Sequence, residues 1–289
     1  MTAIDAGATK VSCEIPLGRV CQVKISSQQD FDTLLNGGYC DNDDVHLDIE
    51  VSVDVKGTKT FNFPSRDRPN LTSIAIVGLE KSAEGEEAGG EEAVQYTSIA
   101  LSSLPATLFD FRGASRVSLR QIALMGNHKN IHDASALKTD GAASSVALNH
   151  VSIKGFANGV WALGGEISIY DSSITADLRT GYIRDGTLTA RSNQLNGEYG
   201  FILDNSRFAF RDNTFSNLVA LTSRANDRLL GISNTFKRPV GSSFSTLFFF
   251  RSQSSPHGRI IDNNIQGDIT LYAGEEIGAS LPQNMIIGE

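Results

Sequence analysis

Four closely spaced basic side chains could together perform acid–base chemistry. They are His128, Lys129, His132 and Lys138. A histidine or lysine can remove the proton beside the carboxylate of a uronic acid, which is the first step of β-elimination from an acidic polysaccharide. Lys138 could neutralise that carboxylate while the proton leaves. The same four residues could also be exposed polar groups of a loop, and the sequence leaves both interpretations open.

A second set of residues has the chemistry to bind an acidic polymer. Guanidinium groups form paired hydrogen bonds with carboxylates and sulfates, and a tyrosine ring can stack on a sugar. The predicted substrate-binding residues are Arg120, Tyr170, Arg184, Arg191 and Arg211. Asp171 and Asp212 follow Tyr170 and Arg211, so the alternative is an exposed ladder of arginines neutralised by neighbouring carboxylates.

These residues belong to a repeated pattern. Residues 188–195, 208–215 and 229–236 share one template, in which apolar and outward positions alternate, an Asn is sixth and a large apolar residue is eighth. Their starts are 20 and 21 residues apart (208 − 188 and 229 − 208). A fixed short period is typical of a solenoid, in which each repeat is one turn of the chain.

The template extends in both directions from these three repeats. Further copies start at Val117, Val146, Ile167 and Gly258. Two coils are longer than the others, and their extra residues include Asn127–Asp133 in one and Lys237, Arg238 and His257 in the other. Each coil also has a second apolar segment, and these segments add further charged residues: Arg112, Arg184, Asp185, Arg224 and Arg251.

A period of about 21 residues is too short for a strand–helix–strand unit. It fits one rung of a single-stranded parallel β-helix, an all-β fold whose rungs are stacked about 4.8 Å apart. The eighth positions should then form a buried apolar column. The sixth positions, Asn193, Asn213, Asn234 and Asn263, should form a ladder in which each amide satisfies its neighbours, so we predict a structural role for them.

In these repeats the chain resembles the pectin-lyase-like family of right-handed parallel β-helices, over roughly residues 45 to 275. The resemblance implies a carbohydrate-binding or carbohydrate-cleaving protein, although the family also includes tailspikes and non-catalytic surface proteins. The clustered aspartates of polygalacturonases, the arginine–proline segment of pectate lyases and the glutamine–aspartate pair of pectin methylesterases are absent. The residues themselves indicate no metal site and no cofactor, and only the resemblance suggests Ca²⁺.

Composition and charge restrict the partners. A formal net charge of −8 argues against nucleic acid or an anionic membrane surface as the main partner. No apolar stretch has the roughly 18 residues of a membrane span. No signal peptide is visible, so an extracellular or surface location would require a removed leader or another export route.

For Cys13, Cys21 and Cys40, a Cys13–Cys21 bridge and three buried thiols both remain open.

The two ends of the predicted solenoid need protection. Residues 1–44 should contain entry strands and a capping helix over 26–35, with Ser27 as N-cap and Phe31, Leu34 and Leu35 on its inner face. Residues 45–275 should form the β-helix itself. Residues 276–289 should be a cap or tail, and an uncovered last rung would allow the chain to form a homo-oligomer through its C-terminal end.

Two functions from different classes remain open on this sequence. One is a β-helix module that binds an extended acidic polysaccharide or forms part of a surface or virion structure. The other is a polysaccharide lyase or glycoside hydrolase acting on an acidic glycan. The missing catalytic motifs favour the first, and the fold together with the Arg/Tyr strip favours the second.

Overall fold

The computed structural model describes residues 19–36, 40, 44–63, 71–81, 94–101, 107–127, 133–141, 144–225, 227–243, 245–250, 257–269 and 285–287. Over these residues the chain is a parallel β-solenoid of about eight turns with one helix, which confirms the predicted all-β class. Within the same ranges, no helix is long and apolar enough to cross a bilayer.

The first turns are built from short strands and the helix. They are β1 (Arg19–Ile25), α1 (Gln28–Leu35), β2 (Asp44–Val51), β3 (Val55–Gly57), β4 (Phe61–Asn62), β5 (Ser73–Gly78), β6 (Glu80–Lys81), β7 (Gln95–Tyr96), β8 (Ser98–Leu101) and β9 (Thr107–Asp110). Strands β2 and β3 are separate strands, and they pair with different neighbours. The antiparallel pair β6–β7 brackets the glutamate-rich segment 82–93, which lies outside the described residues.

The central turns contain longer strands that continue around the corners of the solenoid. They are β10 (Arg116–Met125), β11 (Ser135–Asp140), β12 (Ser145–Leu163), β13 (Glu166–Tyr170), β14 (Ser173–Arg184), β15 (Thr187–Arg191), β16 (Gln194–Asp204), β17 (Arg207–Arg211) and β18 (Thr214–Ser223). Strand β11 is the second apolar segment of the long coil that starts at Val117.

The last turns end in an antiparallel strand. Their elements are β19 (Arg228–Ile232), β20 (Thr235–Lys237), β21 (Thr246–Phe250), β22 (His257–Ile261), β23 (Asn264–Gln266) and β24 (Met285–Ile287). Strand β24 pairs with β22 in antiparallel orientation, so it covers the free edge of that strand. Strand β24 lies within residues 276–289, for which the sequence predicts a cap or tail.

The parallel pairings form three sheets around the core. Sheet A joins β1, β2, β5, the first halves of β10 and β12, β13, β15, β17, β19 and β22. Sheet B joins β3, β8, the second half of β10, the middle of β12, the starts of β14, β16 and β18, β20 and β23. Sheet C joins β4, β9, β11, the ends of β12, β14, β16 and β18, and β21.

The predicted apolar column is present in sheet B. Its members pair in one continuous register, and those from Leu124 to Phe236 are buried: Leu124, Ile153, Ile174, Leu195, Phe215, Phe236 and Ile265. Aromatic rings fill the later turns, and Phe215 stacks on Phe236 with ring centroids 5.0 Å apart. Because inward side chains at equal positions touch along the axis, the core extends with each added turn.

The corner between sheets A and B has the same backbone conformation in every later turn. One residue at each corner has a left-handed φ of 48–57°, and these residues are Gln121, His150, Asp171, Ser192, Asp212, Ser233 and Asp262. In the last four of these corners the next residue is an asparagine of the predicted ladder: Asn193, Asn213, Asn234 or Asn263. The Oδ1 of Asn213 accepts from the backbone N and Nδ2 of Asn193, at 3.0 and 2.8 Å, and the pattern repeats between Asn213 and Asn234.

Helix α1 caps the first turn as predicted. The side chain of Ser27 accepts a hydrogen bond from the backbone N of Asp30, and Phe31 and Leu34 are buried. The side-chain amide of Gln28 makes two 2.8 Å hydrogen bonds to the backbone N and O of Lys56 in β3. Since β3 is the first strand of sheet B, this amide occupies the place of a missing neighbouring strand.

Cys21 and Cys40 form a disulfide, with Cα atoms 5.5 Å apart. This corrects the sequence-based alternatives, which were a Cys13–Cys21 bridge or three thiols. Cys21 lies on the inner side of β1, and Cys40 follows α1 in the sequence. The two cysteines are 19 residues apart in the chain. Cys13 lies outside the described residues.

Candidate functional site

The predicted strip of outward residues exists on sheet A. Arg120 pairs in register with Asn149, Asn149 with Tyr170, Tyr170 with Arg191, and Arg191 with Arg211. Parallel in-register strands place equal side chains about 4.8 Å apart along the axis. The repeat therefore brings four of the five predicted binding residues onto one surface.

Asp212 reduces the positive charge of this strip. Its Oδ2 lies 3.2 Å from Nε of Arg211 and 3.9 Å from Nε of Arg191. Both arginine side chains are about 60% exposed, so solvent screens these ion pairs and they stabilise the fold little. For Asp171, the other predicted partner, no ion pair with an arginine occurs among the described residues.

Sheet A carries a second arginine column that the sequence analysis missed. Arg207 pairs in register with Arg228, and both are exposed at the start of their strands. Each arginine lies four residues before the strip position of its own strand, which is Arg211 on β17 and Ile232 on β19. Four residues span about 13 Å along an extended chain. Thr189 and Ala209 lie between the two columns and form a floor of small side chains. The template could have shown this column, because both arginines directly precede a template start.

The remaining predicted site residues are elsewhere. Arg184 lies on sheet C, where its Nε is 3.4 Å from Asp185. Lys138 is also on sheet C, in register with Asp110 and Trp161. His128, Lys129 and His132 lie outside the described residues, so the structure does not place them. Lys138 and the sheet A strip are on different faces and do not form one site.

Lys138 lies in a concave region of sheet C of about 530 Å³. In this region the guanidinium of Arg112 binds the carboxylate of Asp110, with Nε 2.8 Å from Oδ1 and 2.9 Å from Oδ2. Hydrogen bonding to Asp110 raises the pKa of Arg112. Arg112 is therefore already neutralised by a carboxylate.

Beside this region sheet C carries a cluster of aromatic rings and arginines. Trp161 and Tyr182 pair in register, with ring centroids 4.5 Å apart. The Cζ of Arg179 lies 5.4 Å from the Trp161 ring, and the Cζ of Arg224 lies 5.5 Å from the Tyr182 ring. Both distances fit cation–π contacts. The phenol of Tyr182 donates to Asp204 at 3.2 Å.

Burial dominates the electrostatics of this cluster. It lowers the pKa of Arg179, and the nearby positive charge of Arg224 lowers it further. It raises the pKa of Tyr182, with the Asp204 carboxylate acting in the same direction. The Nε atoms of Arg179 and Arg224 are buried, and within the described ranges neither has a hydrogen-bond partner.

Sequence reasoning missed Trp161, Arg179 and Tyr182 as candidates, although it included Arg224 among the charged residues of this face. A signal for the two rings was present: both follow their template start by 15 residues (161 − 146 and 182 − 167). Arg179 had no such signal, because it follows a register irregularity between β14 and β16.

A second concave region lies where the β6–β7 pair extends over the corner between sheets A and B. Its volume is about 640 Å³, and its lining includes Lys81, Tyr96, His150, Lys154 and Asp171. Burial raises the pKa of Tyr96, and the charge of Glu80 adds to this effect. Lys81 in this region is paired with Asp54 at 2.7 Å, so its charge is already neutralised.

No family model matches the chain, and no curated protein is significantly similar to it in sequence.

The described residues contain one close group with metal-ligating side chains, formed by Cys21, Cys40 and Asp44. The two cysteine sulfurs are joined in the disulfide, so they are not available as thiolate ligands. This group is therefore no candidate metal centre, and Ca²⁺ stays an expectation that rests on the resemblance alone.

Proposed function

We propose that the protein is a pectin-lyase-like β-solenoid that binds an extended acidic polysaccharide along sheet A. The observation that supports this proposal is the in-register column of Tyr170, Arg191 and Arg211 beside the parallel column of Arg207 and Arg228. Together they line a flat floor with cations on both sides. A chain lying along the solenoid axis would meet Arg191 on β15, Arg207 and Arg211 on β17, and Arg228 on β19.

The chemistry of these side chains suits carboxylate or sulfate groups. Each guanidinium presents several N–H donors in one plane and can bind an oxoanion through two hydrogen bonds. Arg207 and Arg228 form no ion pair with any described residue, so their charge is not neutralised as that of Arg191 and Arg211 is by Asp212. A negatively charged protein with a local row of arginines can attract a polyanion to that row alone.

Affinity electrophoresis in gels containing pectate, alginate, hyaluronan or chondroitin sulfate tests the proposal. The native protein should be retarded by at least one acidic glycan, and the retardation should weaken as salt is added. The double variants Arg191→Gln/Arg211→Gln and Arg207→Gln/Arg228→Gln should each weaken binding about tenfold, which corresponds to about 1.4 kcal/mol.

The matched control is Lys24→Gln. Lys24 occupies the same outward column six strands before Arg191, and it is paired with Glu50 at 2.8 Å. The control removes one positive charge far from the arginine columns and should leave binding unchanged. Equal retardation of native protein and both double variants would contradict the proposal, as would a lack of retardation in every acidic glycan.

The same incubations also test the catalytic alternative. A lyase would release products with an unsaturated sugar end, and a hydrolase would release new reducing ends. Among the described residues, the structure does not pair an acid and a base at the sheet A strip. A role as a surface or virion component would instead be supported by self-assembly without any response to glycans.

A further inference from the structure

The aromatic cluster of sheet C contains two arginines, Arg179 and Arg224. Arg179 and Arg224 come from different turns of the solenoid, and both guanidinium groups lie over the adjacent rings of Trp161 and Tyr182. The positive charge of Arg224 repels that of Arg179, and this repulsion is stronger in a partly buried site than in water.

The carboxylates near this pair do not neutralise it by direct contact. Asp204 accepts the hydrogen bond of Tyr182, and Asp133 acts on Arg179 only through its electrostatic field. No carboxylate among the described residues lies within ion-pair distance of either guanidinium. In contrast, Arg112, Arg184 and Arg211 each have a carboxylate partner.

We propose that Arg179 and Arg224 form a binding site for one oxoanion, which is a carboxylate, sulfate or phosphate group. The ring contacts hold each guanidinium over an aromatic face and leave N–H groups in its plane for the anion. A bound anion would reduce the repulsion between the cations, and its oxygens would accept hydrogen bonds from the terminal N–H groups of the two guanidiniums. The site is on sheet C, so it is independent of the glycan proposed for sheet A.

The geometry also supplies a specific reporter. Trp161 is the only tryptophan of the chain, and it lies directly under Arg179. An anion that draws the guanidinium away from the ring or fixes it in place changes the surroundings of this indole. Intrinsic tryptophan fluorescence therefore reports on the surroundings of Trp161, which include this cluster and the neighbouring Lys138, and the arginine variants below assign the response to the cluster.

The experiment is a fluorescence titration of the full chain with sulfate, phosphate and galacturonate, at constant ionic strength maintained with a chloride salt. We expect a saturable change with at least one of these anions. Tighter binding of galacturonate would assign the anion to a sugar acid, and tighter binding of sulfate or phosphate would assign it to a free oxoanion. Either result supports the shared site.

The variants Arg179→Gln and Arg224→Gln should each weaken the response at least tenfold. Arg179→Lys should also weaken it, because an ammonium keeps the charge and loses the planar arrangement of donors. The control Lys154→Gln removes a positive charge from the same strand as Trp161, at an exposed position on sheet B, and should titrate like the native protein. Thermal unfolding monitored by circular dichroism verifies that each variant is folded.

A response that does not saturate with any of the three anions would overturn the proposal. An unchanged response in both Arg179→Lys and Arg224→Gln would do the same, even if Arg179→Gln fails to fold. The double variant Arg191→Gln/Arg211→Gln must keep the fluorescence response, which separates this site from glycan binding on sheet A.

Discussion

Asn213 donates from its side-chain Nδ2 to the Oδ1 of Asn234 at 3.0 Å, one turn further along the solenoid. The same Nδ2 also donates to the backbone O of Ala190 at 2.9 Å, and the Oδ1 of Asn213 accepts from Asn193. Both hydrogen-bonding atoms of this buried amide are therefore satisfied. The ladder continues in the other direction to Ser172, whose backbone N donates to Asn193.

Replacing Asn213 by alanine should destabilise the protein by about 3 kcal/mol, because it leaves several buried polar groups without partners. Equilibrium unfolding in urea measures this change. The control Asn196→Ala removes a half-buried amide with one long 3.5 Å contact, and it should change the free energy of unfolding by less than about 0.5 kcal/mol. Similar losses for both variants would show that the ladder does not stabilise the fold.

The last asparagine of the ladder should matter less. The Nδ2 of Asn263 has no hydrogen-bond partner among the described residues, whereas its Oδ1 accepts from Asn234. We expect Asn263→Ala to cost about half as much as Asn213→Ala in the same urea experiment, since fewer hydrogen bonds are lost. An equal or larger cost would mean that the ladder is not weaker at this end.

The amide of Gln28 should protect the first strand of sheet B. In Gln28→Ala, the backbone N–H of Lys56 loses its 2.8 Å acceptor, so its hydrogen exchange should accelerate about tenfold or more. Native-state hydrogen exchange followed by NMR measures this rate. The exposed neighbour Gln29 is the matched control, and a Gln29→Ala protein should retain the native rate at Lys56.

The Cys21–Cys40 disulfide should stabilise the N-terminal cap. It closes a loop across 19 residues, for which chain entropy predicts about 3 kcal/mol of stabilisation. Unfolding with and without a reducing agent measures the difference. Peptide mapping without reduction should recover Cys21 and Cys40 in one linked peptide pair. A linked pair that contains Cys13 would contradict the structure.

Asp227 should make stability depend on pH. Its carboxyl is fully buried, and burial raises the pKa of Asp227 although Ser223 and the backbone N of Ser206 donate to it. The folded protein then holds the proton more tightly than the unfolded chain. Stability should fall as the pH rises from about 4 through the raised pKa, and remain level above it.

The control variant for this effect is Asp227→Asn. Its side chain has nearly the same shape as that of aspartate but has no titratable carboxyl group. The variant should gain stability relative to the native protein as the pH rises through the same window. Urea unfolding at a series of pH values measures both curves. A constant difference between the two proteins from pH 4 to 8 would show that Asp227 does not titrate in this range.

The sequence alone determined the solenoid, its period, the apolar column and the asparagine ladder. It could do so because each rung repeats the same contacts, and a repeated contact leaves a repeated residue type at a fixed spacing. The same logic placed Arg120, Tyr170, Arg191 and Arg211 on one surface. Helix α1 was also predictable, since Ser27 and the spacing of Phe31 and Leu34 are local signals.

Only the tertiary structure decided the features that the repeat does not encode. The segment that connects sheet B to sheet C varies in length from turn to turn. Tyr182 and Ile202 are paired on sheet C, but Tyr182 follows its template start by 15 residues and Ile202 follows its own by 14 (182 − 167 and 202 − 188). The cluster of Arg179 and Arg224 over two rings depends on that irregular arc. The Cys21–Cys40 disulfide and the antiparallel strand β24 involve segments that occur once in the chain. A contact that occurs once produces no repeated residue type in the sequence, so the repeat pattern could not predict it.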